Sequence, residues 1–118
     1  MTMKHLTRTQ IGALREQMVA REALLAGEIE RAIAERSARE PEGREVDPGV
    51  VDLDSVLAIA DVVRDEREVD HIRAALGRMD RGTYGRCLSC GASIPLERLR
   101  VQPDAEHCHV CQTRAEGG

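Results

Sequence analysis

The chain has no tryptophan, no phenylalanine and a single tyrosine, Tyr84. Aromatic rings supply much of the buried area of thick cores, so their near absence argues against a sandwich or barrel. No apolar run approaches the roughly 18 residues of a membrane span. The opening MTMKHLTRTQIGAL lacks the apolar stretch of a secretory signal. Cysteine is missing from the first 86 residues, where a disulfide framework would need it. These absences point to a soluble protein of a reducing cytoplasm that does not associate with membrane.

Basic excess is missing too. The formal net charge is −4 over 118 residues, and it is concentrated in one place. Between Pro41 and Asp54 stand five acids (Glu42, Glu45, Asp47, Asp52, Asp54) against Arg44; the rest of the chain is neutral. Nonspecific nucleic-acid affinity comes from neutralising phosphates with Lys and Arg, so direct DNA binding is not expected. No Ser/His/Asp arrangement and no glycine-rich phosphate loop is present, and an acidic turn without a pocket makes a poor catalytic pair. The chain does not read as an enzyme.

What is present is helical periodicity. From Leu6 to about Arg39, the residues Ile11, Leu14, Met18, Leu25, Ile29 and Ile33 recur at three-, four- and seven-residue steps, and Ala32 continues the stripe. Thr7 with Gln10 fits a capping box, and Leu6 with Ile11 fits the hydrophobic staple beside it. A second periodic segment, about Leu53 to Asp80, carries Val56, Ile59, Val63, Val69, Ile72, Leu76 and Met79, with Asp52 or Asp54 as N-cap. Arg21 and Glu66 interrupt the stripes, and the run Arg64–Glu68 reads as a solvated face with i,i+4 pairs. Pro41, Gly43, Pro48 and Gly49 break the helix between the two segments. Two long helices joined by a short turn bury their stripes on each other. The expected organisation is mostly α: an antiparallel two-helix coiled-coil hairpin over residues 1–80 with an acidic tip near 41–54, then a small four-cysteine zinc finger over 81–118.

All four cysteines fall between Cys87 and Cys111, as C-x2-C, seventeen residues, C-x2-C. Zn²⁺ takes four thiolates tetrahedrally at about 2.3 Å, and two such knuckles supply two ligands each. The spacing lies in the zinc-site range and predicts one structural Zn²⁺ on Cys87, Cys90, Cys108 and Cys111. A redox dithiol or a pair of disulfides leaves the doubled spacing unexplained. Gly91 suits a left-handed backbone position after the first knuckle; Gln112, its counterpart, suits it less. His107 and His109 flank Cys108, but four cysteines already close the shell, so both read as surface imidazoles beside it. His5 and His71 carry no assignment from their surroundings. A closed shell has no open position for water, which disfavours metal catalysis.

Tyr84, Gly85, Gly91, Ile94, Arg98, Leu99, Pro103 and Ala105, together with the cysteines, resemble the signature of the DksA/TraR family of bacterial transcription regulators, and the hairpin is the family's arrangement as well. The resemblance implies a partner, RNA polymerase, bound without DNA. It implies a coiled coil that enters the secondary channel with an acidic tip near the catalytic centre, and in longer members joint action with ppGpp. Of the family's tip motif Asp-x-x-Asp-x-Ala, the second aspartate falls on Asp47, while Arg44 and Gly49 replace its neighbours; Asp52 and Asp54 are the alternates. Basic family positions of the alarmone site fall on His71 and Gln102, which speaks against ppGpp cooperation. The N-terminal extension of the longest members has no counterpart, and seven residues follow Cys111, shortening the family's C-terminal helix. The expected protein is a compact, monomeric regulator. The alternatives are an adaptor docking on another protein and a zinc-ribbon nucleic-acid binder. Against the last, the finger balances Arg86, Arg98, Arg100 and Arg114 with Glu97, Asp104, Glu106 and Glu116 and lacks a stacking platform.

Overall fold

Thr7 starts the first helix, α1 (Arg8–Ala38). Its hydroxyl oxygen accepts from the Gln10 amide at 3.0 Å, while the Thr7 amide donates to Gln10 Oε1 at 2.9 Å. This reciprocal box satisfies two of the donors that every helix start leaves unpaired. Leu6 and Ile11, on either side of the box, both join the main apolar cluster. The computed structural model describes residues 5–38 and 52–117. The acids Glu42, Glu45 and Asp47 of the expected tip lie outside them.

The second long helix, α2 (Leu53–Arg81), starts at Asp52. The Asp52 carboxylate accepts from the Asp54 amide and the Ser55 hydroxyl at 3.1 and 2.7 Å, which selects Asp52 over Asp54 as the cap. The helix ends at Gly82, whose φ of +75° is a left-handed C-cap, with the Thr83 amide bonded back to the Arg78 carbonyl at 2.8 Å.

Three ion pairs cross between the long helices and show their direction. Arg15 meets Asp80 at 2.9 Å, Arg21 meets Glu68 at 2.6 Å and Glu22 meets Arg73 at 3.2 Å. Early positions of α1 face late positions of α2, so the pair is antiparallel. Between these pairs Leu14, Met18 and Leu25 pack with Val69, Ile72, Ala75 and Met79. Glu68 therefore spans the hairpin rather than joining a solvated face, and Arg21 is the charged margin of the seam rather than a break in it. Glu66 is exposed and lies off the seam altogether. Within the expected charged run, Arg64 pairs with Asp61 at i,i+3.

Towards the tip the seam departs from the expected stripe. Val56, Ile59 and Val63 are 47, 46 and 42% exposed, and Ile33 is 53% exposed. Counting back from Val69 in alternating steps of four and three residues gives 65, 62, 58 and 55. Asp65, Val62 and Ser55 are half-buried, as are Ile29 and Ala32 on α1. Periodicity alone placed the α2 stripe on Val56, Ile59 and Val63, but the partly covered positions lie one residue earlier, at Ser55 and Val62, with Ala58 exposed between them. On α1 the cover stays on the expected Ile29 and Ala32.

The finger follows Gly82. It holds two short helices, α3 (Leu96–Val101) and α4 (His109–Glu116). No strand occurs among the described residues; a single antiparallel bridge pairs Arg86 with Ser93. No helix among them is long and apolar enough to cross a membrane.

Candidate metal centre and the hairpin–finger junction

Each signature residue of the finger has a physical task. Tyr84, Ile94 and Leu99 are fully buried, and Ala105 nearly so. The Tyr84 hydroxyl donates to the Pro103 carbonyl oxygen at 2.7 Å. Arg98 Nε donates to the His107 carbonyl oxygen at 3.2 Å, holding the approach to the second knuckle. Gly85 and Gly91 have φ of +83° and +76°, a region that side chains disfavour. A Cβ on Gly85 would also stand 3.1 Å from the His5 ring.

The two knuckles are built differently. In the first, the Cys87 amide donates to the Ala92 carbonyl oxygen and the Gly91 amide to that of Cys87, at 2.8 and 2.9 Å, so the chain folds back on itself and needs the left-handed glycine. In the second, Cys108 is the N-cap of α4, and the Gln112 amide donates to its carbonyl oxygen at 2.9 Å. The turn between Cys108 and Cys111 is thus the first turn of a helix. Gln112 is fully suited to it, contrary to the sequence expectation. The Leu88 amide joins the knuckles by donating to the Glu106 carbonyl oxygen at 2.8 Å.

The sulfurs of Cys87, Cys90, Cys108 and Cys111 all lie within 4.8 Å of one another, and Cys90 and Cys108 are 3.7 Å apart. Four thiolates about 2.3 Å from one tetrahedral ion would be separated by about 3.8 Å. The cluster fits one structural zinc. Its electrostatics agree with a cation site. Burial pushes the Cys87 thiol up, but backbone N–H groups of Cys108, Cys90 and Ser89, with the His107 side chain, outweigh it and bring the thiol to about 5. The Cys111 thiol, facing Cys87 and then Cys108 and Cys90, is pushed up to about 12. Four adjacent thiolates repel one another, and a divalent ion at their centre removes that penalty.

Among the described residues, three side-chain hydrogen bonds tie the finger to the hairpin. His5 Nε2 donates to the Ile94 carbonyl oxygen at 2.8 Å, His71 Nδ1 donates to Glu106 Oε1 at 2.8 Å, and Gln17 Nε2 reaches the Arg100 carbonyl oxygen at 3.3 Å. Local spacing assigned no partner to His5 or His71, because the residues they bond are 89 and 35 positions away. His107, expected at the surface, is half-buried with Nδ1 3.2 Å from Ser89 Oγ and 4.0 Å from Cys87 Sγ; its adjacency to Cys108 was the available signal. His109 is exposed as expected. Beside the junction lies a cleft of about 600 Å³, walled by Met18, Leu24, Ile72 and Val101, with Gln102, Asp104 and the Arg21–Glu68 pair at its polar edge.

Residues 82–117 match the prokaryotic DksA/TraR C4-type zinc finger. Over 96% of this chain and 76% of the relative, the sequence is 25% identical to the RNA polymerase-binding transcription factor DksA of Escherichia coli. The Haemophilus influenzae protein of the same name is 36% identical over 45% of this chain and 37% of its own. Transcription factor DksA2 of Pseudomonas aeruginosa superposes with a TM-score of 0.79 at 28% identity, covering 93% of this chain and 85% of that one. The solution structure of the DnaK suppressor protein from Agrobacterium tumefaciens shares the fold, with a TM-score of 0.60 at 22% identity over 88% of this chain and 92% of its own. Residues 82–117 thus carry a finger of the DksA/TraR type, and the chain as a whole, a four-sulfur cluster at the base of a two-helix hairpin, is similar to DksA proteins in sequence and fold.

Proposed function

We propose that this chain is a non-catalytic transcription regulator that binds RNA polymerase through the hairpin and finger together, and does not bind DNA by itself. The observation that carries the reading is the whole-chain likeness to a relative named for polymerase binding, which spans hairpin and finger alike. Cys87, Cys90, Cys108 and Cys111 hold a single zinc that folds the finger. The hairpin enters the polymerase's secondary channel and brings acids near the catalytic centre, Asp47 first, with Asp52 and Asp54 as alternates. Asp52 lies at one end of α2 and the finger follows the other, about 43 Å away at about 1.5 Å per residue. That separation suits a rod anchored at its base and acting at its tip. The cell compartment is the cytoplasm, where bacterial polymerase works, and the chain acts as a monomer.

Joint action with ppGpp finds no support at this site. Among the positions the family makes basic, His71 is engaged by Glu106, and Gln102 is neutral at a cleft edge that also carries Glu68 and Asp104. A polyanion would meet two carboxylates there and one guanidinium, Arg21, that is already paired.

The test uses tagged full-length chain, purified polymerase and promoter DNA. Retention of polymerase and not of free DNA at physiological salt is expected, with no gain in affinity on adding ppGpp. Asp47→Asn should keep polymerase affinity and change open-complex lifetime. Retention of DNA without polymerase would overturn the reading. If Asp47→Asn, Asp52→Asn and Asp54→Asn all match the parent in both assays, the acids play no part in it.

A further inference from the structure

The four sulfurs do not share one environment. Cys87 is buried, whereas Cys90 is exposed. Beside Cys87 stands a group that no thiolate shell requires, the His107 ring, with Nδ1 4.0 Å from Cys87 Sγ and 3.2 Å from Ser89 Oγ. Nδ1 is not one of the four atoms that lie mutually within 4.8 Å, so the ring stands beside the metal position and not in it. Its backbone is fixed as well, because Arg98 Nε donates to the His107 carbonyl oxygen at 3.2 Å. Ser89 belongs to the first knuckle and His107 precedes the second, so this contact links the two halves of the site.

We propose that His107 is a positioning residue of the zinc site: its single Nδ1–H is shared between two acceptors, the Cys87 sulfur at 4.0 Å and Ser89 Oγ at 3.2 Å. Four thiolates on Zn²⁺ leave a net charge of about −2 on the cluster. An N–H donor draws charge from the sulfur it faces and orients that sulfur's lone pairs, and such outer partners typically change metal affinity about 10–100-fold. Cys87, already met by backbone N–H groups, becomes the most firmly retained ligand, and the exposed Cys90 the most easily displaced.

The inference rests on the zinc reading above, so the full-length parent is first measured for metal content. A parent without zinc removes both. With one zinc per chain established, zinc affinity is measured by chelator competition for the parent, His107→Ala, His107→Asn and Ser89→Ala. Cobalt(II)-loaded forms of each supply spectra. His107→Ala should bind zinc about 10-fold more weakly, and its thiolate-to-cobalt charge-transfer bands should move to lower energy, because a sulfur without its donor gives up electrons more readily. Ser89→Ala removes the competing acceptor, so it should bind zinc no more weakly than the parent and move the bands slightly to higher energy, opposite to His107→Ala. His107→Asn, which offers an amide N–H in place of Nδ1–H, should recover part of the loss. Unchanged affinity and bands in His107→Ala would overturn the proposal. So would weaker binding with unmoved bands, which means packing alone, or a change in ligand-field bands from three-sulfur-one-nitrogen to another donor set, which means direct ligation. An Asn variant no better than Ala would count against N–H donation.

Discussion

The Tyr84 hydroxyl donates to the Pro103 carbonyl oxygen at 2.7 Å, and both partners lie inside the finger. Tyr84 is fully buried, and burial pushes its phenol well above the usual range, so it stays a neutral donor at any physiological pH. The bond crosses from the entry of the finger to the loop after α3. The chain's lone aromatic residue thus serves as a peg through the module that carries the metal cluster.

Removing that hydroxyl leaves the Pro103 oxygen without its donor while the ring still fills its space. Tyr84→Phe should cost about 1–2 kcal/mol, read as a lower denaturant midpoint of the zinc-loaded protein. Tyr84→Ala should cost more, about 3–5 kcal/mol, through the cavity it opens. Equal midpoints for Tyr84→Phe and the parent would show that the hydroxyl contributes nothing to the finger.

Arg78 presents the opposite situation. It is 6% exposed, and its Nη2 meets no hydrogen-bond partner among the described residues. A buried guanidinium nitrogen with no partner among the described residues loses hydration with little in return. Arg78→Met keeps the apolar stem and removes the charge. It should raise stability by about 1–3 kcal/mol, measured in urea. A lower midpoint would mean that the guanidinium stabilises the native state.

Gly27 lies inside α1, and a Cβ there would meet no atom within 4 Å. Glycine in a helix interior is about 0.5–1 kcal/mol worse than alanine. Gly27→Ala should therefore stabilise the hairpin by that amount, visible in the thermal loss of helical circular dichroism. Destabilisation would mean that the seam needs the closer approach glycine permits.

The Arg21–Glu68 bridge makes hairpin stability depend on pH. The Arg21 side-chain hydrogen bond holds the Glu68 carboxyl below its usual range, against the opposing effect of burial. A depressed folded value means the contribution is fully present above the unfolded value of about 4.3. It is lost as pH falls through the lower folded value. Glu68 is only partly buried, so the contribution is about 0–1 kcal/mol. Stability at pH 6 should exceed that at pH 3 by a larger margin in the parent than in Glu68→Gln. Identical pH profiles would remove the bridge from the account.

Much of this protein was legible before any coordinates. The capping box at Thr7, a cap at Asp52 or Asp54, the left-handed Gly91 and the gathering of four sulfurs all follow from residues close in sequence. Helix ends and metal knuckles are local structures with few conformations, so a few residue types specify them. The DksA/TraR resemblance was readable for the same reason, since its signature residues are those that shape the knuckles and fill the small core beneath them.

What tertiary structure alone decided is which faces meet. Ile33, Val56, Ile59 and Val63 satisfy helical periodicity as well as their neighbours do, yet they are turned outward. Period fixes the spacing of a stripe but not its phase, and the phase was chosen by the partner helix. The roles of His5, His71 and Glu68 were likewise invisible, because each bonds to a residue on another element. A side chain's partner across a junction depends on how whole helices dock, and that depends on the summed packing of the chain and on no short stretch of it.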